Sequence, residues 1–486
     1  MSDNPTLSTR RRSPGLWLFV VAFLTLCLLP FVGMLWVSDT PASDDDSRHS
    51  LPELKTEIGL LNLSYLADLG DYFEDHFAYR NLAIDINAHL RADLLRTSST
   101  DQVIIGRQGW LFYGGTLDDY LASDPLSNRE LSNIAHNLAL MQGYTNAMGA
   151  DFLVTIAPNK NSLYPNYMPF YYINGNNESM TLLAQRLRDN SVHYVDLFEL
   201  FANTSDELYL KTDTHWTCGG ALLAANALLQ AAGMNEAVVS GAPSEAGVTG
   251  DIERMLYPVT PKPEKTSLLS TGTWEFTGAF DNVEDDTFTT TSPAPTGTLL
   301  MYRDSFANSL IPYLAPEFSQ AEFSKLIPYN LTRVADLKPD VVIIERAERH
   351  VRLFGFDPPL MYAPTTALKL GETLETKSWV QWHQDGDFRV IEGCVDEEFI
   401  DENDSIYLSV EGSAGMPNIY VPFEISIAPN SDTMLDVGSN SSLSEYGFRL
   451  FLDEHTLTEG DYTIRVLVLK PQGKVATVVA TMALKK

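Results

Sequence analysis

Residues 298–310 read TLLMYRDSFANSL, and the fold turns on how this stretch is parsed. Thr298 to Tyr302 shows no polar alternation, the pattern of a short strand buried on both faces. Asp304 breaks the run and Ser305 begins the helix that follows. A serine in that place is either a helix N-cap or a nucleophile at a strand end, and this stretch alone leaves both open.

The same strand–loop–helix unit recurs on either side. Phe152–Ala157 (FLVTIA), His193–Leu197 (HYVDL) and Asp340–Glu345 (DVVIIE) are short apolar runs. Helical periodicity separates them over Ser127–Met148, over Met180–Asn190 and through a stretch ending near Ala232. This alternation predicts an α/β fold, a mostly parallel sheet flanked by helices on both faces. Ligands bind such sheets beyond the carboxyl ends of the strands. Asn159, the DTHW loop (213–216), Ser305 and Glu345 all follow strands, so they are expected to converge there.

The flanks differ in texture. From Leu51 to about Arg96 apolar residues recur at helical spacing, and Gly106 and Gly109 frame a turn between Val103–Ile105 and a strand over Trp110–Tyr113. The α/β domain is expected over residues 51–370, with 235–296 a Pro-, Thr- and acid-rich irregular insertion. Over residues 371–486, alternation in SIYLSVEG, YVPFEISIA, FRLFLD and YTIRVLVL predicts an antiparallel β-sandwich, either Ig-like or carbohydrate-binding. At the other end, Gly15–Val37 is 23 residues without a charge, long enough to span a bilayer. Arg10, Arg11 and Arg12 precede it, and a polar acidic linker reaching Ser50 follows. The pattern predicts a single-pass anchor over residues 1–37, with a cytoplasmic N-terminus and an extracytoplasmic remainder. The run exceeds a signal peptide's apolar region, and no small-residue cleavage motif follows.

Composition narrows the function. The net charge is −31, from 33 basic and 64 acidic residues, which excludes nucleic-acid binding because a polyanion would be repelled. The three cysteines form neither a disulfide framework nor a metal-ligand pattern. No phosphate-binding loop or dinucleotide fingerprint is present, so no cofactor and no metal are expected.

Asp213 and His215 can lie side by side in a loop, with the carboxylate holding one imidazole nitrogen and the other free to serve as base. Ser305 is the matching nucleophile. A second such pair, Asp453 and His455, lies in a polar turn without a strand-end serine beside it. Asn159 and Lys160 could hold a substrate or an oxyanion, or simply form a Pro-Asn turn. Glu345 and Arg346 read as buried ion pairs or substrate contacts. Trp110, Tyr113, Tyr164 and Trp216 are either core aromatics or sugar-stacking platforms.

Taken in order, YFEDHFAYRN (72–81), QVIIGRQGWLFY (102–113), APNKNSLYP (157–165), DTHW (213–216), RDSFANSLIPYL (303–314) and DVVIIERAER (340–349) resemble the DHHW family. That family is similar to the alginate O-acetyltransferases of the AlgX and AlgJ type, which resemble circularly permuted SGNH hydrolases. The resemblance covers residues 50–360 and implies an SGNH-like sheet. It implies Ser305 as nucleophile, His215 as base and Asp213 as its orienter, the permuted order. Thr214 stands where the family name has a histidine, and Arg303 where SGNH enzymes have glycine. Glu345-Arg346 replaces the usual oxyanion asparagine. Backbone amides after Ser305 are then the expected oxyanion donors, with Asn159 or Arg303 as alternatives. The implied activity is O-acetylation of a polysaccharide acceptor, fed by a membrane-bound acyl-donor acyltransferase. A carbohydrate esterase and a non-catalytic polysaccharide-binding assembly protein are the alternatives.

Overall fold

A computed structural model of the chain describes residues 14–34, 36, 49–55, 60–294, 296–412, 417–428, 443–453, 455 and 460–485. They form two compact units, one of residues up to 114 with 249–264, the other of residues 115–248 with 265–486.

The first unit opens with helix Pro14–Gly33. Among the described residues it is the one helix long and apolar enough to cross a membrane. Its end is packed by Phe31 against the edge of Phe73, at 5.5 Å between ring centroids. Gly33 sits so close to Ala78 and Tyr79 that a side chain there would collide with both. Helices Tyr65–His76 and Arg80–His89 follow, the second continued by a wide turn over Leu90–Leu95. Val103–Ile105 pairs antiparallel with Leu111–Tyr113. The turn between them places Gly109 at φ 83°, a conformation open to glycine at little cost. Ala92, Val103, Leu111, Ile252 and Leu256 make this unit's core.

The second unit is built on a seven-stranded mixed sheet. Its order is Tyr194–Val195, Asp151–Ala157, Val341–Ala347, Thr298–Tyr302, Gln320–Ser324, Thr287–Thr291 and Glu275–Thr277. The first five strands run parallel, Thr287–Thr291 runs against them, and Glu275–Thr277 pairs antiparallel with Thr287–Thr291. Those last two belong to the stretch expected to be irregular. It also holds paired strands Ser240–Val248 and Glu264–Ser270 and helix Asp251–Leu256. The reason is local: in TFTTT (287–291) Phe288 and Thr290 face inward, and β-branched threonine suits a pleated surface.

Helix Asn128–Ala147 covers one face of the sheet. Ser127 and Glu130 close a capping box at its start, and Leu131, Ile134, Leu138 and Met141 recur at helical spacing into the core. Phe152, Val154, Ile156, Val342 and Ile344 complete that core from the strands.

Beyond residue 360 lie two further sheets. One has six strands, antiparallel except where Lys369–Thr373 runs parallel to Val475–Lys485. The other has four antiparallel strands, in the order Trp379–Asp385, Phe388–Cys394, Ser444–Asp453 and Phe423–Ile427. The four-stranded sheet is buried on both faces. Ile391, Phe448 and Leu450 join Ile406, Leu408 and Ile464 of the six-stranded sheet. Val390, Phe423, Ile425 and Phe451 instead join the core beneath helix Asn128–Ala147. A buried ion pair, Arg129–Glu424 at 2.8 Å, ties that helix to this sheet, and both Asn137 amide atoms bond the Glu424 backbone. All three cysteines are free.

Candidate active site

The strand Thr298–Tyr302 is buried along nearly its whole length, and the Arg303 amide continues its ladder to Ser324 O. Asp304 then caps the next turn, its Oδ1 accepting from the Phe306 amide at 2.9 Å. Ser305 opens a five-residue 3₁₀ turn, Ser305–Ser309, rather than an α-helix. Too short for an appreciable dipole, it aims the hydroxyl by geometry alone.

The DTHW loop comes from a narrow antiparallel bridge between Tyr209 and Trp216, closed by Leu210 N to His215 O and Thr217 N to Leu208 O. Asp213 Oδ1 accepts the His215 amide at 2.8 Å and meets His215 Nδ1 at 2.7 Å. His215 Nε2 lies 3.0 Å from Ser305 Oγ. An ionised Asp213 keeps the proton on Nδ1, so Nε2 presents its lone pair to the serine hydroxyl. The imidazole lies against Phe306 with its ring tilted by 55°, 4.8 Å between centroids, and its side chain stays 23% exposed, leaving room for a reactant.

The other predicted residues turn out to be supports. Trp216 is 2% exposed and packs edge-on to Phe306 at 5.2 Å, so it is a core wall and meets no sugar. Lys160 is buried, and its Nζ donates to the carbonyls of Leu210 and Lys211 at 3.1 Å and of Asp213 at 2.5 Å, which anchors the DTHW loop. Asn159 donates its side-chain amide to Asp119 and its backbone amide to Glu348. Arg303 lies over Phe288 and donates to Asn308 Oδ1 and to the carbonyls of Val283 and Asp285. Burial lowers its pKa to about 10. Arg346 is sandwiched by Tyr329 and Phe354 and donates to the Tyr329 hydroxyl. Glu345 is fully buried, and its Oε2 accepts the Asp304 amide at 3.1 Å. That burial pushes its carboxyl well above the usual range.

Asp304, to which the sequence reading gave no role, is a further support. Asp304 Oδ2 accepts the Ala347 amide at 2.8 Å and meets His350 Nδ1 at 3.4 Å. Burial opposes ionisation there, but the bonds from His350, Ala347 and Phe306 outweigh it and keep the carboxyl below its ordinary pKa. Because Asp304 takes the Phe306 amide, that amide is not an oxyanion donor, contrary to expectation. Asn159 and Arg303 are committed elsewhere too. Glu348, buried, has its pKa raised by desolvation to about 7. It lines two adjoining cavities of about 220 and 340 Å³ that share Asp119, Asn177 and Met180; no triad residue lines either. The second Asp–His pair forms an exposed turn in which Asp453 Oδ1 accepts the His455 amide.

With this geometry established, comparison with known proteins adds three findings. Residues 103–262 match the family described as the SGNH hydrolase-like domain of the acetyltransferase AlgX. That range holds Asn159, Lys160, Asp213 and His215 and ends before Ser305. A probable alginate O-acetylase AlgJ of Pseudomonas syringae pv. tomato is 30% identical over 213 residues, 41% of this chain and 50% of that protein. The chain spans about half the length of the curated relatives it matches. Among solved structures, the O-acetyltransferase domain of Pseudomonas putida AlgJ aligns at 20% identity and a TM-score of 0.36, over 52% of this chain and 92% of that one. Bacillus cereus PatB1 aligns at 16% identity and a TM-score of 0.42, over 51% and 96%. The resemblance to the AlgX and AlgJ proteins read from the motifs is borne out.

Proposed function

We propose that this chain is a membrane-anchored, extracytoplasmic acyl-ester enzyme that transfers acetyl groups to hydroxyls of a cell-surface or secreted polysaccharide. The observation that carries the reading is the relay Asp213–His215–Ser305, with links of 2.7 and 3.0 Å. Ser305 Oγ attacks the donor's acyl carbonyl while His215 Nε2 takes the hydroxyl proton. The tetrahedral intermediate collapses, the proton passes to the leaving group, and Ser305 carries the acetyl ester. A sugar hydroxyl then attacks that ester, its proton goes to His215, and collapse returns the proton to Ser305. Asp213 stabilises the imidazolium in each half-reaction. Water in place of the sugar makes the same site an esterase.

Helix Pro14–Gly33 supports a single-pass anchor, with the arginines before it on the cytoplasmic side. The similarity to AlgJ supports a polysaccharide acceptor, and a membrane-bound acyltransferase would supply the acyl group from across the bilayer. The α/β region over 51–370 would carry catalysis. The two sheets over 371–486 would form a β-sandwich that binds glycan or spaces the enzyme from the membrane. The test is mass spectrometry of the protein incubated with an activated acetyl ester. An acetyl adduct on Ser305, absent from Ser305→Ala and discharged by an oligosaccharide faster than by water, is expected. No adduct on Ser305 overturns the reading, and discharge by water alone makes the protein an esterase.

A further inference from the structure

Helix Arg80–His89 and its continuation Leu90–Leu95 are built inside out. Ala88 and Ala92 are buried, and Ala92 packs with Val103, Leu111, Ile252 and Leu256. The large aliphatics point the other way. Leu82, Ile86, Leu90 and Leu94 are 54, 57, 50 and 71% exposed. Four-residue spacing lines them up as one stripe, opposite the alanines. A helix packed only on its own protein turns its large side chains inward, so this face is shaped for another apolar medium. Leu63 and Leu66, on and just before the preceding helix, are likewise almost wholly exposed.

The position of the stripe identifies that medium. The apolar helix ends at Gly33, which is pressed against Ala78 and Tyr79, the residues just before Arg80. Phe31 meets Phe73, and the Ala78 amide donates to Pro30 O. The stripe therefore starts where the apolar segment ends. Arg91 on this helix and Arg96 just past its end are exposed, as basic residues near an apolar face would be at anionic headgroups.

We propose that residues 80–95 lie in the plane of the membrane as an interfacial helix, with Leu82, Ile86, Leu90 and Leu94 sunk into the headgroup–acyl boundary of the bilayer that helix Pro14–Gly33 crosses. The proposal rests on the anchor reading above and adds a second, lateral membrane contact. The span already holds the start of the stripe at the interface, so lipid covers it without the encounter that a second copy would need.

The experiment uses the full chain in vesicles of phosphatidylethanolamine and phosphatidylglycerol. An environment-sensitive fluorophore is placed at Ile86→Cys, Leu90→Cys or, in the hairpin turn, Gln108→Cys, each in a background of Cys27→Ser, Cys218→Ser and Cys394→Ala. Circular dichroism checks folding. Quenching by spin-labelled lipid is expected to be at least about threefold stronger at 86 and 90 than at 108. Equal quenching at all three positions, in protein that resists alkaline extraction, overturns the interfacial helix and leaves the anchor standing. Disulfide-linked dimers through Ile86→Cys without lipid quenching overturn it in favour of a second copy. Release of the whole chain by alkaline carbonate overturns both.

Discussion

Replacing Lys160 by methionine tests whether the catalytic loop is held from beneath. The ammonium donates to three carbonyls, those of Leu210, Lys211 and Asp213, and the residue is only 5% exposed. Each charge-assisted bond is worth about 1.5–3 kcal/mol in place, and each carbonyl orphaned in a dry pocket costs about 1–3 kcal/mol. Burying the ammonium itself cost several kcal/mol, which the substitution recovers. The net loss for Lys160→Met is expected near 3–5 kcal/mol, the range for breaking a buried charged interaction. Urea unfolding at constant m-value reads it. The kinetic effect follows from geometry. Freeing the Asp213 carbonyl lets the whole DTHW bridge shift, and a displacement of about 1 Å between His215 and Ser305 slows acylation by roughly 10²-fold. A variant within about 0.5 kcal/mol of the parent, with unchanged adduct formation on Ser305, refutes the argument. Lost stability with an unchanged acylation rate refutes the coupling between this strut and the base.

Three further outcomes follow from the same geometry. Asp213→Asn disturbs the tautomer that presents Nε2 to Ser305, and single-turnover acylation should fall by roughly 10⁴-fold while circular dichroism stays unchanged. Glu348 has a pKa raised from 4.5 to about 7, so folding carries no penalty below pH 4.5, where both states hold the proton. Stability is lost as pH climbs through 7, by about 3 kcal/mol in full at 1.36 kcal/mol per pH unit, and Glu348→Gln should remove most of this slope when melting temperatures at pH 5 and pH 8 are compared. Arg129→Met leaves the Glu424 carboxylate buried without its cation and should cost about 3–5 kcal/mol in denaturant; adding Glu424→Met should restore part of it.

That Asp213, His215 and Ser305 would meet was legible in the sequence because it depends on order along the chain. Ser305 lies three residues past the strand Thr298–Tyr302, and the loop of Asp213 and His215 follows the strand Tyr194–Val195 with helix Leu197–Ala202 between them; strand ends of a parallel sheet converge whatever the details of packing. The roles of the surrounding polar residues were not legible. From the sequence Asn159, Lys160, Arg303, Glu345 and Arg346 could be either substrate contacts or structural groups. In the structure each meets a carboxylate, a backbone carbonyl, an amide or an aromatic ring contributed by another segment. Long-range partners of that kind leave no periodic trace. Asp304 was given no role for the same reason. The threonine-rich edge strands were misread because their pattern is short and polar, and pairing with Gln320–Ser324 is what settles it.

The four-stranded sheet buried on both faces has a consequence for how such a protein can be shortened or recombined. Its inner face, through Val390, Phe423, Ile425 and Phe451, is the floor on which helix Asn128–Ala147 rests, while its outer face alone meets the six-stranded sheet. A chain ending near residue 370 would lay that helix bare and be expected to aggregate. The natural seam runs between the two sheets, so the outer one is the piece a lineage could exchange for another module while the core beneath helix Asn128–Ala147 stayed intact.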